Sequence, residues 1–193
     1  MKPIDKTIIK NILYRCPLSN INKIKNLNIY NKPPNNELYN SLAKYYVLKP
    51  KGRKSYVWFT YYKKNLMALL IIMNNKDIAD SSNEFYDLEV EFDNTLCYNN
   101  VLLYGYYFKY NHKSHITNYF VIENIYNFNN YNTLLFSNNY NLCFSNKISL
   151  FNHIMPKIIN RNNNNIKIPI ILDNIDSVYK VINNLNYDVY CIN

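Results

Sequence analysis

Ile4, Ile8, Ile9, Ile12 and Leu13 recur at the spacing of one helical face, which predicts a short amphipathic helix over residues 4–14. Residues 16–40 are polar and Asn-rich around Pro33-Pro34 and read as a loop, with a second short helix over Glu37–Ala43. The pattern then changes to strands. Tyr45–Leu48 runs into the turn Lys49-Pro50-Lys51-Gly52, and Ser55–Tyr62 is dense in aromatic and β-branched residues. Met67–Met73 is wholly apolar, as a strand buried on both faces should be. Asp87–Phe92 alternates acidic and apolar side chains, as a half-exposed strand should. Val101–Tyr110 and Asn118–Tyr126 flank the polar stretch 111–117, which predicts a hairpin with a long, partly basic tip and completes an antiparallel meander. Helical spacing returns over Ile148–Ile159. A low-complexity loop follows at Asn160–Asn165, then a strand at Ile168–Leu172, a helix at Ile175–Leu185 capped by Asp173 or Asn174, and a closing strand at Tyr187–Ile192.

Strands followed by helices give an α+β class of mainly antiparallel sheets with a few helices. The chain of 193 residues suits a single domain, read as a helical and loop extension over 1–43 and a core over 44–193.

Composition sharpens this picture in two ways. Asn makes up roughly a fifth of the residues, with 21 Tyr, 9 Phe and only 2 Gly. Asn, Lys, Ile, Tyr and Phe share AT-rich codons, so the bias points to a large DNA virus or another AT-rich genome. Each Tyr or Asn then carries less functional information than usual. The net charge of +9 favours a polyanionic partner, discounted for the codon contribution to Lys.

Cys16, Cys97, Cys143 and Cys191 are scattered without a C-x-x-C pair, which argues against a zinc site or a disulfide framework and for buried thiols in a reducing, intracellular compartment. The charged start lacks an apolar signal core. The apolar run Leu66–Met73 is too short to span a bilayer, so no membrane partner is expected.

The chemistry-bearing stretch is Lys49-Pro50-Lys51-Gly52-Arg53-Lys54, followed by Trp58. Strand alternation places Lys54, Tyr56 and Trp58 on one face and Ser55, Val57 and Phe59 on the other. Lysines and arginine hold phosphate by charge-assisted hydrogen bonds, Gly52 permits close backbone approach, and aromatic rings stack bases. The plainer readings are a solvated basic turn and a Trp58 core anchor. Lys63-Lys64 reads as a turn between strands. His112 and His115 have H-x-x-H spacing but no acidic or thiol partners on their loop, where Lys109 and Lys113 point instead to phosphate contact. Asp87, Glu89, Glu91 and Asp93 read as a solvated acidic edge. Glu123 stands alone in the apolar strand Tyr119–Tyr126 and is expected to be partly buried, in a structural salt bridge on the plainer view.

The order of these stretches resembles the nucleotidyltransferase domain of mRNA guanylyltransferases and polynucleotide ligases, over residues 44 to the C-terminus. The resemblance implies that Lys49 falls where the family's nucleophilic lysine lies. Lys51 then replaces an Asp, and Lys54 takes the place of a ribose-contacting Arg. Tyr104-Gly105-Tyr106 stands for an Asp-Gly-Glu motif, and Phe120–Ile125 with Glu123 matches the hydrophobic strand that ends in an acid. Tyr190-Cys191-Ile192 falls at a motif that carries Glu, and the final lysine-rich motif has no counterpart.

Metal-assisted transfer to lysine needs Mg²⁺ held by carboxylates. With the acids expected at 51, 104 and 106 replaced by a cation or by Tyr, the resemblance implies a catalytically inert, snurportin-like pseudoenzyme with no cofactor. The implied partner is RNA or nucleotide, including a capped 5′ end, bound through Lys49, Lys51, Arg53, Lys54, Tyr56, Trp58 and Glu123. A protein partner in a viral RNA-processing or transcription complex is also expected. The alternatives are a ligand-free scaffold subunit of a viral assembly and a residual Lys49-dependent nucleotidyltransferase.

Overall fold

The computed structural model describes residues 1–21, 45–75, 78–112, 115–128, 131–132, 144–160, 164–185 and 187–192. The helix expected at Glu37–Ala43, most of the loop expected before it, and the tip at 113–114 lie outside the described residues. The described chain is a mixed α+β structure of mainly antiparallel sheets, as the pattern predicts, and the largest sheet curls into a half-barrel.

The N-terminal segment forms β1 (Lys2–Pro3), α1 (Lys6–Leu13) and α2 (Pro17–Ile21). Asp5 caps α1 by accepting from the Thr7 amide at 2.7 Å, satisfying a donor that the helix start leaves free. The α2 turn falls where the sequence reading placed a loop, because Pro17 suits a first helical position.

Next come β2 (Tyr46–Pro50), β3 (Arg53–Tyr62), β4 (Asn65–Ile72), β5 (Glu84–Asp87) and β6 (Glu91–Phe92). Lys63 and Lys64, with φ of 47° and 72°, form the tight turn between β3 and β4. The single strand expected at Asp87–Phe92 is broken into β5 and β6. The Asp87 carboxylate accepts from the Glu89 amide at 3.0 Å, and Glu89 turns to φ 52°.

A short helix α3 (Thr95–Tyr98), which no periodicity announced, precedes the hairpin of β7 (Leu102–His112) and β8 (His115–Phe128). The polar tip expected over 111–117 is therefore mostly strand, with His112 paired to His115. Backbone pairing is satisfied by polar residues as readily as by apolar ones, so polarity alone mislocated the turn. Two register shifts, at Leu102/Leu103 and Tyr104/Gly105, kink this hairpin.

After β9 (Tyr131–Asn132) comes α4 (Phe144–Ile154), then a 3₁₀ turn (Met155–Lys157) and β10 (Ile158–Ile159). The helix expected through Ile159 stops early because Pro156 lacks the amide that a continuing α-helix requires. The chain continues through β11 (Asn164–Lys167), β12 (Ile170–Leu172), α5 (Ile175–Asn184) and β13 (Val189–Ile192). Asn164 and Asn165, read as loop, begin β11. The α5 cap is as expected: Asn174 accepts from the Ser177 amide at 2.8 Å.

The large sheet runs β1-β5-β4-β3-β7-β8-β11, with β9 also on β8. All its pairings are antiparallel except β11 on β8. A three-stranded sheet, β12-β2-β13, is separate, and β6 pairs with β10.

Two cores result from strand alternation. Val57, Phe59, Leu70, Ile72, Leu103 and Ile122 point to one face and meet Phe151 and Ile154 of α4. Trp58, Leu69, Ile71, Leu102 and Tyr126 point to the other and meet Ile9 and Ile12 of α1. The N-terminal helix is thus built into the sheet's second face, and Cys16 and Cys97 are buried free thiols. Among the described residues no helix is long and apolar enough to cross a membrane.

Candidate functional site

Lys49 lies in the middle strand of the small sheet, opposite Tyr190 of β13. Its ammonium donates to the Glu123 carboxylate of β8, and both side chains keep about a fifth of their surface in solvent, at 20% and 22%. Strands β2 and β8 are not hydrogen-bonded neighbours. The pair therefore bridges the two sheets.

Tyr104 and Tyr106 of β7 turn towards the same carboxylate. The Tyr106 phenol hydrogen-bonds to Glu123, and burial, followed by the Glu123 charge, pushes its pKa up to about 12. Burial and the same charge also raise the Tyr104 phenol. These hydroxyls therefore remain neutral hydrogen-bond donors at any physiological pH.

Tyrosines pack in a continuous cluster beside this pair. Tyr56 contacts Tyr104 and Tyr126 with ring centroids 5.2 and 5.4 Å apart, and Tyr104 meets Tyr126 at 5.5 Å and Tyr106 at 6.3 Å. The tilted and edge-on geometries are those that aromatic quadrupoles favour. Burial raises Tyr56 well above the ordinary tyrosine range.

Further along β7 and β8, Phe108 stacks on Tyr119 at 5.3 Å and 12°, and Tyr187 leans on Phe108 at 4.9 Å. Beside Tyr187 opens a groove of about 390 Å³ lined by Lys51, Ile182, Leu185, Asp188 and Val189. A larger groove of about 590 Å³, lined by Leu66, Phe92, Pro156 and Ile159 among others, involves none of the lysines near Lys49.

The seven residues singled out from sequence do not all meet. Lys49 and Glu123 meet, Tyr56 reaches them only through Tyr104, and alternation on β3 turns Lys54, opposite Tyr106, to the same side. Lys51 sits at the neighbouring rim, with its ammonium 3.1 Å from Asp188 and 5.5 Å from the Tyr190 ring centroid. Arg53 faces away: it donates to Glu84 at 2.5 Å and Asn74 at 2.8 Å beside the first core.

Trp58 is 1% exposed, and its indole donates to the Asn100 side chain at 2.6 Å, so it is a core anchor and offers no stacking surface to a ligand. Gly52 makes its close approach to the Tyr107 carbonyl, not to a ligand-facing surface: a Cβ there would lie 2.8 Å from that oxygen. Gly105 is tighter still, since a Cβ would sit 2.0 Å from the Val121 carbonyl oxygen. Both glycines of the chain are thus positions of backbone contact.

Lys147 of α4 is the functional candidate that sequence reasoning missed. Its ammonium donates to the Glu123 backbone carbonyl at 3.3 Å. A lysine on an amphipathic helix ordinarily signals a solvated face, and no local spacing ties it to residues on β2 and β8.

Magnesium fits these residues poorly. Glu123 is already held by Lys49, and amines or phenols occupy the other positions that the resemblance assigns to acids. Among the described residues no group of three or more His, Cys, Asp or Glu could hold a metal ion. Comparison with known protein families finds no matching family, and no curated protein matches the chain.

Proposed function

We propose that this chain is a catalytically inert module of the guanylyltransferase and ligase type. In this reading it binds a phosphate-bearing ligand, RNA or nucleotide including a capped 5′ end, where Lys49 and Glu123 join its two sheets. The observation that supports the reading is convergence. Lys49 from β2, Tyr104 and Tyr106 from β7 and Glu123 from β8 come from separate motifs of the resemblance and gather at the Glu123 carboxylate, with Tyr190 of β13 opposite Lys49.

Lysines 49, 51, 54 and 147 surround phenols that remain protonated donors. An exposed ring such as Tyr190, 58% accessible, presents a stacking surface for a base. Lysine chemistry is disfavoured because Glu123 pairs the Lys49 ammonium and because, among the described residues, no acidic cluster offers a metal seat.

Anisotropy of a labelled short RNA, with cap analogue as competitor, tests the reading. Binding at low salt is expected to weaken as salt rises, with a logarithmic slope of about −2 for three phosphate contacts on a single strand. Lys49→Met is expected to weaken it about tenfold or more. Trp58 is a poor reporter, being sealed in the core. No binding at low salt would sink the proposal.

A second reading, a scaffold subunit of a viral assembly, is favoured by the exposed rings of Tyr98 and Tyr179, accessible at 72% and 63%. Co-purification with a partner, without ligand response, would support it. A residual enzyme would reveal itself by a covalent label from GTP or ATP with Mg²⁺ that is lost in Lys49→Ala.

A further inference from the structure

Pairing of β11 with β8 ends at Val121, and pairing of β9 with β8 begins at Asn127. Between them that edge of β8 has no strand partner among the described residues, and α4 places Lys147 there against the Glu123 carbonyl. The charged groups that act on Lys147 are Glu123 from β8 and Lys49 from β2. Glu123's carboxylate already accepts from Lys49 and from Tyr106. Lys147 is thus a half-buried ammonium with a neutral carbonyl as its hydrogen-bond partner and a carboxylate shared with a second ammonium. Burial pulls its pKa below the ordinary lysine value, and Lys49 adds to that pull. Such a charge is costly unless an anion completes it.

We propose that Lys147 is the ligand-facing cation of the cluster around Glu123 and that it takes a singly charged phosphate of the phosphodiester type, with Glu123 retained to hold and orient Lys49. This rests on the binding reading above and narrows it. Among the charged groups that act on Lys147, its own ammonium, that of Lys49 and the Glu123 carboxylate leave one positive charge unbalanced. A diester phosphate, or an inner phosphate of a dinucleoside polyphosphate, balances it. A terminal phosphate dianion would place an excess negative charge beside Glu123, which P–O⁻ and carboxylate repulsion disfavours.

Calorimetric titrations with 5′-hydroxyl hexauridylate, a dinucleoside triphosphate and uridine monophosphate test this on the full chain. Wild type is expected to bind either of the first two more tightly than the monophosphate. The stronger of these identifies whether the source is an RNA backbone or a cap-like bridge. Lys147→Met is expected to weaken binding about tenfold without lowering the melting temperature, and Lys147→Arg to restore most of it. Glu123→Gln is expected to tighten binding severalfold.

A second readout reports Lys147 directly: reductive ¹³C-methylation followed by pH-titrated NMR. One methyl-lysine signal, absent in Lys147→Met, should titrate below the others and shift its midpoint upwards when hexauridylate binds. Binding by Lys147→Met within twofold of wild type overturns the proposal. So does a Lys147 signal unmoved in a formed complex, or weaker binding by Glu123→Gln. If wild type binds none of the three ligands, it is the binding reading itself that falls.

Discussion

On one face of the large sheet, Val57, Phe59, Leu70, Ile72 and Ile122 close against Phe151 and Ile154 in an aliphatic and aromatic layer. On the other face, the same strands present Trp58, Leu69 and Ile71 at one end and Tyr56, Tyr104, Tyr106 and Tyr126 at the other, running up to Lys49 and Glu123. The first face loses free energy only if it is exposed to water. The second loses it also if its polar atoms go unpaired, and it is here that ammoniums, phenols and a carboxylate remain within reach of solvent. On the proposed reading, stability and recognition fall to opposite ends of alternating side chains on common strands. Substitutions can separate them.

The largest effect is expected at the junction of the two faces. Gly105→Ala would drive a methyl group into the Val121 carbonyl and force β7 from β8 at the register shift, at a cost of about 3–5 kcal/mol or loss of folding. Urea unfolding measures it, and a near-neutral result would show that the hairpin is not packed as described.

Trp58→Ala should cost about 3–5 kcal/mol, since it empties the second core and leaves the Asn100 acceptor unpaired. Trp58→Phe should cost less and leave RNA binding unchanged. Altered affinity with intact stability in that variant would undo the division between the core and the cluster around Glu123.

Lys147→Met should show the converse, with a melting midpoint equal to wild type or up to about 3 °C higher. The sign follows from the depressed pKa of Lys147. Between its folded value and the ordinary 10.5, the unfolded chain binds more protons, so stability rises with pH through that window. The variant should lose this alkaline gain.

The smallest effect belongs to Arg53–Glu84 beside the first face. Arg53, and to a lesser degree Tyr86 and Asn74, hold the Glu84 carboxyl down to about 2 from its ordinary 4.5. That stabilisation is complete above 4.5 and disappears as pH falls towards 2. With side-chain exposures of 47% and 36%, the pair contributes no more than about 1 kcal/mol. Acid titration of Glu84→Gln should show a correspondingly shallower loss over that range.

The helical period of Ile8, Ile9 and Ile12, the aromatic density of β3, the unbroken apolar run of β4 and the Asn174 cap are local properties, and the sequence by itself determined those elements. It also placed Glu123 as a partly buried acid with a cationic partner, because a lone charge in an apolar strand needs one. Polarity misled where backbone pairing overrides it, as at Asn164 and at the ends of β7 and β8.

Only tertiary structure decided which cation Glu123 meets, that Arg53 finds Glu84 and Asn74, and that Trp58 is sealed from solvent. It alone brought Lys147 from α4 to the edge of β8. The physical reason is range. Periodicity, capping and turn chemistry act over a few residues, whereas Lys49, Glu123 and Lys147 meet through the closure of separate sheets, and no spacing along the chain encodes that.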